Sequence, residues 1–166
     1  MLKIKSSLVC LSVFLLLGCI NNSDTSLSNK AGAPLLKGLG DHSHKISSNV
    51  YGVQRYFDQG LVLAFAFNHA ESIRSFKAAQ KLDPSCAMCF WGEALALGPN
   101  INVNSDGKVI MAPQNRLAAF KAINTAIALS NSISEKEQAY ISALATRYDG
   151  NPETNREPLD IAYANA

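Results

Sequence analysis

From about Val50 the apolar side chains recur at intervals of three and four, the period of a helix with one buried face. Tyr56, Phe57, Gly60, Leu61, Leu63 and Ala64 form such a face and predict a first helix from about Val50 to Phe65. Asn68, with Glu71 three positions on, has the form of an N-cap with its capping-box partner. It starts a second helix, His69 to Leu82, whose inner face carries Ile73, Phe76 and Ala79. Asp83-Pro84 closes that helix and opens a third, because proline is tolerated in a first turn. The third helix holds Phe90, Trp91, Ala94 and Leu95 and stops at Gly98-Pro99-Asn100. No helical period follows until about Pro113. A fourth helix, Gln114 to Leu129, carries Ala119, Ile123 and Ala126. Ser134 with Glu137 makes a second capping box and starts a fifth, Glu135 to Tyr148. A sixth begins near Asn155, beyond the turn cluster Asp149-Gly150-Asn151-Pro152, and is still amphipathic at Ala166. The expectation is an all-α chain of about six helices, incomplete at its C-terminal end because that helix lacks the polar outer face that closes a stacked array.

A longer spacing organises these helices. Tyr56, Gly60 and Leu63 recur 34 residues later as Phe90, Ala94 and Leu97, with Ser72, Phe76, Ala79 and Pro84 between them. That is the interval and residue pattern of the tetratricopeptide repeat, a helical hairpin in which small side chains permit close backbone approach and aromatic ones fill the space around them. The resemblance implies antiparallel helix pairs stacked as a solenoid. The first repeat would cover about 53–86, the second about 87–133 and the third would start near 134. Ala119 lies 25 residues after Ala94, where the repeat allows about 12, so the second repeat carries an insertion near 98–113. Insertions of this kind map to loops on one face, often the binding face.

The words Gly38-Leu39-Gly40-Asp41-His42-Ser43-His44, Gln54-Arg55-Tyr56-Phe57-Asp58-Gln59-Gly60-Leu61, Phe67-Asn68-His69-Ala70-Glu71-Ser72-Ile73-Arg74-Ser75-Phe76 and Leu95-Ala96-Leu97-Gly98-Pro99-Asn100-Ile101-Asn102 include loop residues that the repeat does not dictate. They resemble the opening blocks of long, exported bacterial tetratricopeptide-repeat proteins. That resemblance implies a solenoid continuing past Ala166 and no reaction.

Upstream of the helices the pattern is that of export. Lys3 and Lys5 precede an apolar run, Leu8 to Leu17, too short to span a bilayer and suited to a signal peptide. Leu16-Leu17-Gly18-Cys19 resembles a bacterial lipobox, which implies a signal over 1–18, cleavage before Cys19 and lipid attachment there. Ile20 stands where an inner-membrane retention signal would place aspartate, which favours the outer membrane, facing the periplasm. Residues 19–37, rich in Asn, Ser, Ala and Gly, read as a flexible tether, and 38–49 as a lead-in to a helical domain over 50–166.

Export changes the charge. The chain has 15 Lys and Arg against 13 Asp and Glu; loss of Lys3 and Lys5 leaves the mature chain balanced. The basic field that nucleic-acid binding needs is missing, so nucleic acid is excluded as a partner. No phosphate cradle, nucleophile elbow or catalytic carboxylate pair appears, and no cofactor is expected.

Two groups could carry chemistry. With Asp83 as N-cap, Cys86 would sit in the first turn of the third helix, where the dipole favours a thiolate, and Cys89 one turn on. The pair is either a disulfide, two packing residues or a redox couple, although a thioredoxin context and a haem-attachment histidine are both missing. Asp41, His42 and His44 make a weaker cluster, capable of chelating a metal or of pinning a loop to the first helix. Asn100 to Gly107 has alternating oxygen ligands but lacks the acid density of a calcium loop, and reads as surface. The leading expectation is a non-enzymatic, lipid-anchored protein that docks a protein or peptide segment in a groove presenting Arg55, Asp58 and Gln59. The alternative is a metal- or thiol-dependent redox protein using Cys86 and Cys89 with His42 and His44.

Overall fold

The structure is a computed structural model that describes residues 22–100 and 111–166. The signal sequence, Cys19 and most of the 98–113 insertion lie outside the described residues. Those described form seven α-helices and one 3-10 turn, with no strand among them. The helices are α1 (Asn22–Ala31), α2 (Val53–Phe65), α3 (His69–Leu82), α4 (Ala87–Leu97), α5 (Pro113–Leu129), α6 (Glu135–Ala145) and α7 (Arg156–Ala164). The chain is all-helical there, and no helix among the described residues is long and apolar enough to cross a membrane.

Each of α2 to α5 packs most heavily on its neighbours in sequence, and α4 also touches α2 and α6. Phe76 on α3 is the central piece, fully buried and edge-on to Phe57 at 5.5 Å between ring centroids. Its ring fits where α2 and α4 present glycine: a Cβ would come within 2.9 Å of it at Gly60 and 2.2 Å at Gly92. Mid-helix glycine costs roughly 0.5–1 kcal/mol against alanine, so its presence twice around one ring marks close packing rather than chance. The Ser72 hydroxyl donates to the Gly60 carbonyl at 2.6 Å, across the same contact. Tyr56, Leu63, Ser72, Ala79, Ala94, Ala119, Ile123 and Ala126 are all buried, Phe90 and Leu97 are half-buried, and Pro84 is exposed in the turn after α3.

Local signals depart from the sequence expectation in three places. Asn68 is the N-cap of α3 but its side chain accepts no cap hydrogen bond, so the Asn68–Glu71 capping box is not formed. Glu71 pairs instead with Arg74, at 3.3 Å. Asp83 ends α3 rather than starting α4: its carboxylate receives Ser85 and Ser48, and Cys86 is the N-cap of α4. The fifth predicted helix stops at Ala145 rather than Tyr148, which lets the Tyr148 hydroxyl turn inward to the carbonyls of Ala94, at 2.7 Å, and Gly98. The Ser134–Glu137 capping box is formed as expected.

The largest correction concerns 19–37, read as a flexible tether. Residues 22–31 are helical, and Leu27, Ala31 and Ala33 are buried in the core. Solvent-facing polar residues dominate this helix, so Leu27 and Ala31 carry its docking, with Ala33 just beyond, and no apolar period announces it.

Candidate functional site

The lead-in segment decides which face of α2 is free. Residues 33–48 form an irregular strap whose backbone is bound by α2 side chains. Tyr56 Oη donates to the Ala33 carbonyl at 2.6 Å, and Gln59 Nε2 donates to that of Pro34 at 3.1 Å. Leu36 N–H donates to Gln59 Oε1 at 2.7 Å, and His44 N–H to Asp58 Oδ1 at 2.9 Å. Gln54 receives Ile46 N–H and donates to the His44 carbonyl. Farther on, Ser47 gives both its N–H and its hydroxyl to the buried carboxylate of Glu137.

The three residues expected to line an open groove therefore lie beneath or beside the protein's own chain. Gln59 is only 7% exposed and also donates to Ser75 Oγ. Asp58 is taken up by His44 and by Ser43, and Arg55 pairs with Asp24 of α1 at 2.6 Å. A shallow cavity of about 240 Å³ remains there, and Arg55, Asp58 and Gln59 all line it together with Asp41 and His42.

The candidate redox and metal residues are likewise dispersed. Cys86 and Cys89 are joined in a disulfide, with both residues buried. Cys86 Sγ accepts Cys89 N–H as a helix cap, a structural task. His42 edges the shallow cavity, whereas His44 stands edge-on to Tyr140 at 5.8 Å. No group of three or more His, Cys, Asp or Glu side chains converges at metal-binding distance among the described residues. The disulfide removes both thiolates from any such set.

A different surface is open. At the C-terminal end of α2 a groove of about 540 Å³ runs past α4 to α6 and α7, with a lining that is mostly apolar. Phe65 and Phe67 stand at its edge, 73% and 56% exposed, and Trp91 and Leu95 are among its lining residues. Trp91 Nε1 donates to the Tyr140 carbonyl at 3.1 Å, which fixes the indole between α4 and α6. Phe67 has φ 60°, the left-handed region that a bulky side chain adopts at a cost of roughly 1–3 kcal/mol. The turn from α2 to α3 thus holds a large aromatic ring out to solvent against its local preference.

His69 sits beside it with neither ring nitrogen hydrogen-bonded, although both are shielded from water. Burial lowers its pKa. Arg147 stacks over Tyr163, guanidinium carbon 4.8 Å from the ring centroid, and both residues line the groove.

Periodicity could not find this site. Phe65 and Phe67 fall at a helix end and in a turn, outside the apolar face that the spacing identifies. The signal that was present is the clustering of Phe65, Phe67 and His69 in a turn, where solvent-facing polar residues are the rule. Comparison with protein-family models, with curated proteins and with solved structures gives no match.

Proposed function

We propose that this protein is a non-catalytic binding module of the bacterial cell envelope, anchored through lipid on Cys19 and docking a protein or peptide segment in the groove edged by Phe65 and Phe67. The groove itself carries this reading: two large aromatic side chains held in solvent beside a mostly apolar cavity of about 540 Å³. Exposed apolar surface of this kind marks an interaction site. The helices would form a tetratricopeptide-type solenoid of antiparallel pairs. Burial of Tyr56, Ser72, Phe76, Ala79, Ala94, Ala119, Ile123 and Ala126 at the repeat's small and aromatic positions supports that arrangement. Residues from α2, α4 and α6, the first helix of each pair, line the groove, as expected of the concave face of such an array. The lipobox-like Leu16-Leu17-Gly18-Cys19, with Ile20 after it, supports an outer-membrane anchor facing the periplasm.

Site-specific photo-cross-linking in intact cells tests the docking site. A benzophenone amino acid at Phe67 should give discrete protein adducts, whereas the same group at Tyr51, 67% exposed on the strap side, should not. Adducts at neither position, or equally at both, would remove the groove as a docking site. Cys19→Ser tests the anchor separately, with the protein leaving the membrane fraction.

A further inference from the structure

We infer that the groove selects a peptide segment carrying an acidic side chain beside apolar ones, an inference that rests on the docking role proposed above. Charge points to it. Among the described residues no Asp or Glu lines the groove, and Arg147 is the cation in its lining. Arg147 Nε and Arg156 Nη2 both bond to the same oxygen of Asp160, at 3.2 and 3.0 Å, so two guanidinium groups share one carboxylate and a positive charge is left over. The hydrogen bond to Asp160 uses only Nε of Arg147, and Nη1 and Nη2 make none to any described residue. The guanidinium stacks on Tyr163, and both residues line the groove.

An apolar occupant would satisfy Trp91 and Leu95 but leave Nη1 and Nη2 of Arg147 unpaired. A carboxylate placed against Arg147 gains a charge-assisted, geometrically matched contact.

Trp91 is the chain's one tryptophan, so its emission reports the groove directly. The purified full chain is titrated with three blocked peptides, acetylated and amidated, with two phenylalanines and a leucine around a central Glu, Gln or Lys. The Glu peptide should bind at least about tenfold more tightly than the Gln peptide, the Lys peptide more weakly still, and added salt should erode the preference. Arg147→Gln should abolish the Glu-over-Gln ratio and Arg147→Lys should keep part of it. Because the peptide exchange uses the unaltered protein, a variant that fails to fold leaves the test intact.

Equal binding of the three peptides would overturn acidic selection while leaving the docking role standing. Binding of dodecanoate where no peptide binds, or an emission change with protein concentration alone, would overturn both in favour of a lipid or a second copy.

Discussion

The two ends of α2 put similar demands on the chain and meet them in opposite ways. Around Gln54, Asp58 and Gln59 the helix presents polar side chains, and each is consumed by the protein's own strap. At its other end Phe65 and, in the turn beyond, Phe67 stand exposed, and His69 at the start of α3 has no hydrogen bond to its ring among the described residues. Polar groups that read like a binding surface can be a closed internal interface, because a buried donor must find a partner at home. The proposed site rests on exposed aromatic rings instead.

Phe76→Ala should break both ends at once, since its ring packs against α2 and α4, on which strap and groove are built. A loss of about 3–5 kcal/mol is expected in urea unfolding, with the strap amides and Trp91 emission changing together. Strap and groove reporting separate transitions would show that they do not share this support.

Gln59→Leu should separate the ends. It strips partners from Leu36 N–H, the Pro34 carbonyl and Ser75 Oγ, for a cost of about 2–3 kcal/mol. Hydrogen exchange should rise at Leu36 while Trp91 emission stays in place.

The sequence made the helices legible because each long one has a face of helical period, and Phe76, Ser72 and Ala94 lie on those faces as read. It hid α1 because only Leu27 and Ala31 bury along a run of polar residues. The strap was hidden for a different reason: its own backbone is what α2 grips, and backbone groups carry no sequence signature. Gly92 was overlooked although a glycine inside a helix is itself a signal of close packing. Of the candidate site, the disulfide option for Cys86 and Cys89 was on the page, whereas Asp83 took the opposite end of its turn. Arg55, Asp58 and Gln59 were read as free groove residues, whereas Asp58 and Gln59 bond to the strap and Arg55 pairs with Asp24.

Acid should loosen the strap before the groove. Burial pushes the Glu137 carboxyl up, but the hydroxyl and amide donors of Ser134 and Ser47 outweigh it and hold the group below the usual carboxylate range. A depressed carboxylate contributes stability that is complete above its unfolded pKa and is lost as pH falls through the folded value. Stability should therefore be flat near neutrality and decline on acidification below about pH 4.5, the ordinary carboxyl value. Glu137→Gln should cost about 1 kcal/mol at pH 7, as loss of a helix cap does, and should flatten the acid side of the profile. An unchanged slope would remove Glu137 as the acid-sensitive tie.

The smallest effect belongs to Arg55→Ala. Its pairing with Asp24 is at the surface, with 45% and 30% of the two side chains exposed, and such pairs contribute little. The urea midpoint should not move beyond error, and Trp91 emission should be unchanged. A clear loss of stability would show that α1 is held by charge rather than by Leu27 and Ala31.

The bond from Ser47 to Glu137 joins positions 90 residues apart in a chain whose helices otherwise pack mainly on their sequence neighbours. An array of purely neighbour contacts can fray one unit at a time, each end opening without consulting the other. A clip between the segment before α2 and the first turn of α6 makes that stepwise loss costly, because opening either end forfeits a contact at the other. The expected result is a single cooperative transition in place of progressive unzipping, bought with one serine and one glutamate.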